Sequence, residues 1–138
     1  SGTAVTDQDI FHRDLLLIDI DRSGVSKQPA SENEIKIARE IGARVTDYLL
    51  TCHWPTPTKV MSGNGFHLYY FLSDLDNSED STRLIKRTLK NLASRFDTPE
   101  IRIDTSVFNP SRITKVPGTI MRKGSESPSR PYRQAIIL

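Results

Sequence analysis

Apolar residues run unbroken from Leu15 to Ile18 and then alternate with acids, giving Leu-Leu-Leu-Ile-Asp-Ile-Asp-Arg over 15–22. So short a run of Leu and Ile predicts a buried strand rather than a helix. Alternation along that strand points Asp19 and Asp21 one way and Leu16, Ile18 and Ile20 the other, into a core. A helical pattern comes next. Ser31 and Glu34 have the spacing of a capping box, and Ile35, Ala38, Ile41, Val45 and Leu49 recur at helical intervals. They predict a helix to about Leu50, broken by Pro55 and Pro57. Val60 and Met61 predict a short strand entering the turn Ser62-Gly63-Asn64-Gly65. The run from Phe66 to Leu72 predicts another strand, with His67, Tyr69 and Phe71 on one face and Phe66, Leu68, Tyr70 and Leu72 on the other. A second helix is predicted over 79–96, with Ile85, Leu89, Leu92 and Phe96 as its stripe and Glu79 and Asp80 at its positive end. Ile101 to Asp104 alternates and delivers Asp104 to a strand end. Prolines and glycines then punctuate the chain, predicting loop over 105–133 and a closing strand over 134–138. The order is βαββαβ, a basic excursion and a last strand. It predicts one α+β domain with an RRM-like split-βαβ sheet and helices on one face.

Charge and cysteine content narrow the picture. The net charge is +2, but 105–138 holds six basic residues against one acid, a balance of +5 that leaves −3 for the first 104. Such asymmetry points to a polyanionic partner, although a solvated basic edge would look the same. The single Cys52 excludes an internal disulfide or a Cys-based zinc site and suggests a reducing, cytoplasmic setting. No signal peptide or membrane-length apolar run is present in the sequence, so no membrane partner is expected.

Candidate chemistry gathers at strand ends. Two carboxylates on one face of a strand repel, and a hard divalent cation resolves that conflict. Two solvated acids at an ordinary strand end would have the same spacing. If Asp104 converges on Asp19 and Asp21, the three make a site for one or two Mg²⁺ or Mn²⁺ ions. His67 alone would read as a packed structural histidine. Behind Ser62-Gly63-Asn64-Gly65 it reads as a phosphate contact, because Gly63 and Gly65 permit close backbone approach and such turns form anion-binding nests. The Ser62 hydroxyl and the His67 imidazole add donors. His12 and His53 have no such company.

Together, Asp19-Ile-Asp21, Ser62-Gly-Asn-Gly-Phe-His67 and Ile103-Asp104 resemble the three motifs of the archaeo-eukaryotic primase superfamily. Asn109 to Thr119, Lys123-Gly124 and Arg130-Pro-Tyr-Arg133 resemble the continuation in its primase-polymerase branch, carried by phages, plasmids and other mobile elements. The resemblance covers nearly the whole chain from Leu15. It implies a DNA primase/polymerase that adds nucleotides from nucleoside triphosphates on a single-stranded DNA template, with or without a primer. Asp19, Asp21 and Asp104 would then be the catalytic metal ligands, and Ser62 and His67 would hold the incoming triphosphate. Arg112 and Lys115 are further candidates for triphosphate or template contact, from charge and position; surface ion pairing would explain them equally well. The family usually has a module before its first motif, whereas 18 residues precede Asp19 here. A minimal catalytic module, or one trimmed from a longer protein with a helicase or other replication domain attached, is the resulting expectation.

Three rival readings make distinct demands. Leu-Ile-Asp-Ile-Asp-Arg-Ser also resembles the first motif of haloacid-dehalogenase-type phosphatases, which requires a parallel doubly wound sheet. A non-catalytic RRM-like nucleic-acid-binding module requires exposed aromatics on the central strands, for which Tyr69 and Phe71 are the candidates. A replication-initiator nuclease needs paired histidines on one strand, which the sequence lacks.

Overall fold

The computed structural model describes residues 4–9, 11–24, 27–109 and 117–138. Helix α1 (Glu32–Thr51) begins at a complete capping box. The Ser31 hydroxyl accepts from the Glu34 N–H at 3.2 Å, and the Glu34 carboxylate accepts from the Ser31 N–H at 2.8 Å. The first turn leaves N–H groups without helical partners, and this pair of bonds supplies partners at its start. The expected stripe from Ile35 to Leu49 is buried. Helix α2 (Glu79–Phe96) is capped by Ser78 and buries Ile85, Leu89 and Leu92.

Strands β1 (His12–Arg22), β2 (Thr58–Met61), β3 (Phe66–Asp76) and β4 (Ile101–Ile103) alternate with these helices in the expected order. Leu16, Ile18 and Ile20 of β1 and Phe66, Leu68 and Tyr70 of β3 join both helix stripes in one hydrophobic cluster. Both helices therefore pack on the same face of the sheet. Two strands are longer than their apolar runs. β1 starts at His12 because β3 continues to Asp76 beside it, pairing His12 with Asp76 across a register shift between Arg13 and Leu15. Buried Arg13 is tolerated there because its guanidinium donates to the Phe108 carbonyl at 2.6 Å and the Thr82 hydroxyl at 2.7 Å.

The remaining strands are short: β5 (Ile120–Met121), β6 (Arg133–Gln134) and β7 (Ile136–Ile137). The main sheet has the order β4-β1-β3-β2-β7, with every pairing antiparallel. That overturns the phosphatase reading, whose sheet would be parallel. The single closing strand expected over 134–138 is also corrected. It divides at Ala135, where β6 leaves its pairing with β5 and β7 joins β2. Ala135 itself donates to the Thr119 carbonyl at 2.9 Å, whereas Leu138 donates to Lys59 at 2.9 Å, so the backbone changes partner between them.

Part of the basic excursion is fastened to the start of α1. Arg130 meets both Glu34 oxygens at 2.8 and 3.2 Å, and Arg133 donates to Glu32 at 2.6 Å and to the Ala30 carbonyl at 2.6 Å. Those two cations thus serve ion pairs within the chain, which reduces the basic charge available to a polyanion. Arg122 and Lys123 are exposed. Arg112 and Lys115 lie outside the described residues. Among the described residues, no helix is long and apolar enough to cross a membrane.

Candidate active site

β1 lies between β4 and β3, so its end meets residues from both neighbours. Its register pairs Asp19 with His67 on β3 and Asp21 with Arg102 on β4. One residue beyond β4, Asp104 donates its N–H to the Asp19 carbonyl at 2.8 Å and so continues the ladder opposite Asp19. Ladder partners share a face, and a strand returns to that face at every second residue. Asp19, Asp21, His67, Arg102 and Asp104 therefore stand on the face away from the helices. The three aspartates line one surface cavity of about 310 Å³, together with Arg22, Arg102 and the adjoining loop.

Each aspartate has one oxygen held by a local partner. Asp19 Oδ1 lies 3.3 Å from His67 Nε2. Asp21 Oδ1 accepts from the Arg22 N–H at 2.7 Å, and Asp104 Oδ1 accepts from the Ser106 N–H at 2.8 Å and its hydroxyl at 2.6 Å. Hydrogen bonds thus orient the Asp21 and Asp104 carboxylates, while His67 stands against that of Asp19. Burial pushes the Asp21 carboxyl up; the Arg22 N–H works against it, the charge of Asp19 reinforces it, and Lys123 and Arg22 pull it back. Burial prevails, so the Asp21 carboxyl resists ionisation, a cost that a bound cation relieves.

The donors suit a hard cation, since carboxylate oxygens are the ligands Mg²⁺ and Mn²⁺ prefer. Among the described residues, however, no three His, Cys, Asp or Glu side chains stand close enough to enclose an ion by themselves. The fit is therefore to an ion that keeps several waters and shares its shell between one or two carboxylates and substrate phosphates.

The turn before β3 is used differently from the sequence expectation. Ser62 is buried, its hydroxyl accepts from the Gly65 N–H at 3.2 Å, and its N–H donates to the Gly65 carbonyl at 2.9 Å. The Gly63 N–H is directed at Met61 Sδ, 3.0 Å away. Close approach accounts for both glycines: a Cβ on Gly65 would fall 2.1 Å from the Ile20 carbonyl oxygen, and one on Gly63 (φ +101°) would fall 2.6 Å from Met121 Cβ. The turn packs tightly on β1 and the C-terminal segment, with these groups directed inward rather than toward a phosphate. Buried Asn64 ties it to the α1 entry by accepting from the Ala30 N–H at 2.9 Å.

His67 is also buried, at 8% exposure. Its neighbours Phe66 and Leu68 point into the core, so the imidazole points to the aspartate face. There Nε2 faces Asp19 and Nδ1 lies 3.1 Å from the Tyr69 hydroxyl. Arg102 has no part in the expectations from sequence, and Tyr69 enters them only as a candidate for base stacking. Arg102 was legible, because the alternation Ile-Arg-Ile-Asp puts it on the face of Asp104. The role of Tyr69 depends on a side-chain hydrogen bond that no spacing reveals.

Compared with protein-family models, curated proteins and solved structures, the chain matches none.

Proposed function

We propose that this chain is the catalytic module of a metal-dependent nucleotidyltransferase of the primase-polymerase kind. It extends or starts a nucleic-acid strand from nucleoside triphosphates on a single-stranded template. The observation that carries this reading is the meeting of Asp19, Asp21 and Asp104 in one cavity from distant parts of the chain. The strand order β4-β1-β3-β2, with both helices on one face, supports an RRM-like sheet as the scaffold. The resemblance of the three motifs supports the choice of reaction.

In this reading Asp19, Asp21 and Asp104 hold Mg²⁺ or Mn²⁺. A divalent ion there supplies activation of the attacking hydroxyl and neutralisation of the leaving pyrophosphate. The chain's own groups orient the carboxylates through His67, the Arg22 N–H and Ser106. Exposed Arg102 gives the cavity a cation for substrate phosphate, a group whose geometry suits bidentate contact. Direct phosphate binding by Ser62, Gly63 and Gly65 is left out, because the turn directs their groups inward.

One observation favours a second reading, a non-catalytic nucleic-acid-binding module. Phe71 is 69% exposed and paired with half-exposed Leu15 on the aspartate side of the sheet, where a base could stack. A single assay separates the two. The protein is incubated with primed and unprimed single-stranded DNA, labelled nucleotides and Mn²⁺ or Mg²⁺, and products are resolved by length. Extended products from the wild type and none from Asp104→Asn support transfer; template binding with no product under either metal supports the binding module.

A further inference from the structure

The chain Asp19–His67–Tyr69 joins the candidate site to a residue outside the carboxylate set. Asp19 Oδ1 lies 3.3 Å from His67 Nε2, and His67 Nδ1 lies 3.1 Å from the Tyr69 hydroxyl. The two rings meet edge to face at 5.9 Å. A carboxylate only accepts hydrogen bonds, so a favourable contact with Asp19 requires the proton on Nε2. In a neutral imidazole Nδ1 is then an acceptor, and the group facing it is a phenol able to donate. The opposite tautomer would turn a lone pair toward Asp19 and leave Nδ1–H facing the phenol oxygen. Burial of His67 keeps bulk water from taking over either role.

We propose that Tyr69 is a positioning residue: its hydroxyl donates to His67 Nδ1, keeps the proton on Nε2 and thereby holds the Asp19 carboxylate in place. The consequence for function rests on the reading of Asp19 as part of a transfer site; the hydrogen-bond assignment does not. Removing a group bonded directly to a metal ligand commonly costs about 10–100-fold in activity or metal affinity; Tyr69 stands one step further out, so its loss belongs at the low end of that range. Tyr69 suits this task because alternation on β3 returns it to the face of His67, two residues away.

The test has two arms on the full chain. Nitrogen NMR of the His67 ring, recorded across a pH series and read where its signals show a neutral ring, should find Nε2 protonated and Nδ1 hydrogen-bonded. In Tyr69→Phe the Nδ1 signal should move from its wild-type position or show a second tautomer. In the primer-extension assay, Tyr69→Phe should lower kcat about tenfold with nucleotide KM within about twofold. The same change in a His67→Ala background should add no further loss, because the two residues act as one unit. A wild-type ring protonated on Nδ1 alone, or ring signals unaltered in Tyr69→Phe, would overturn the hydrogen-bond assignment. Losses that add in the double variant would overturn the positioning role. Absence of extension by the wild type would instead count against the transfer reading, with the ring-nitrogen result still deciding the tautomer.

Discussion

At the scale of single residues, Asp21 shows how the site is held under tension. Its carboxyl is pushed up by burial first, with the charge of Asp19 adding to that effect. A carboxyl raised in the folded state contributes stability at low pH that is lost as pH climbs through its folded value. Asp21→Asn should therefore raise the melting temperature at neutral pH in the absence of divalent metal, and the advantage should vanish below about pH 4. The asparagine still offers an acceptor to the Arg22 N–H, so the fold has no reason to suffer. Thermal denaturation of both proteins from pH 3 to 8 measures the difference, and a variant less stable throughout would contradict the assigned cause.

At the scale of elements, the turn between β2 and β3 and the start of α1 determine how the site is framed. Gly65→Ala places a methyl against the Ile20 carbonyl oxygen, a backbone atom that cannot swing aside. The expected cost is about 1–3 kcal/mol in denaturant unfolding, with weaker activity from the displaced β3. Glu34 does two tasks, closing the capping box and receiving Arg130. Burial would raise its carboxyl, but the Arg130 hydrogen bond, the Ser31 N–H and the charges of Arg130 and Arg22 hold it below the usual range. A lowered carboxyl contributes stability above the ordinary carboxylate range that is lost as pH falls through the folded value. Glu34→Gln should thus cost on the order of 1 kcal/mol at pH 7 and nothing in strong acid. Urea unfolding at the two pH values checks it.

These elements also mark where sequence reading succeeds. The capping box at Ser31, the stripe from Ile35 to Leu49 and the alternation about Asp19 are local signals, and each is set by geometry within a few residues. The same alternation places Asp104 on the face of Asp19 and Asp21. The early start of β1 was not legible, because polar residues at 12–14 pair only by virtue of the long partner β3. Nor was the inward use of Ser62, Gly63 and Gly65, since Gly-rich turns serve tight packing and anion binding alike.

At the scale of the whole molecule, the missed features are long-range. Arg130 meets Glu34 across 96 residues and Arg133 meets Glu32 across 101, so a basic segment that reads as a polyanion-binding tail is partly a strap over α1. The fold sets β1 between two neighbours and so collects acids separated by more than 80 residues in one cavity. The most direct test of that convergence is Mn²⁺ binding, followed by electron paramagnetic resonance with a nucleoside triphosphate present, in the wild type and in Asp19→Asn, Asp21→Asn and Asp104→Asn. The account expects each variant to bind Mn²⁺ at least about tenfold more weakly than the wild type. Undiminished binding by Asp104→Asn would show that Asp104 takes no part in holding the metal.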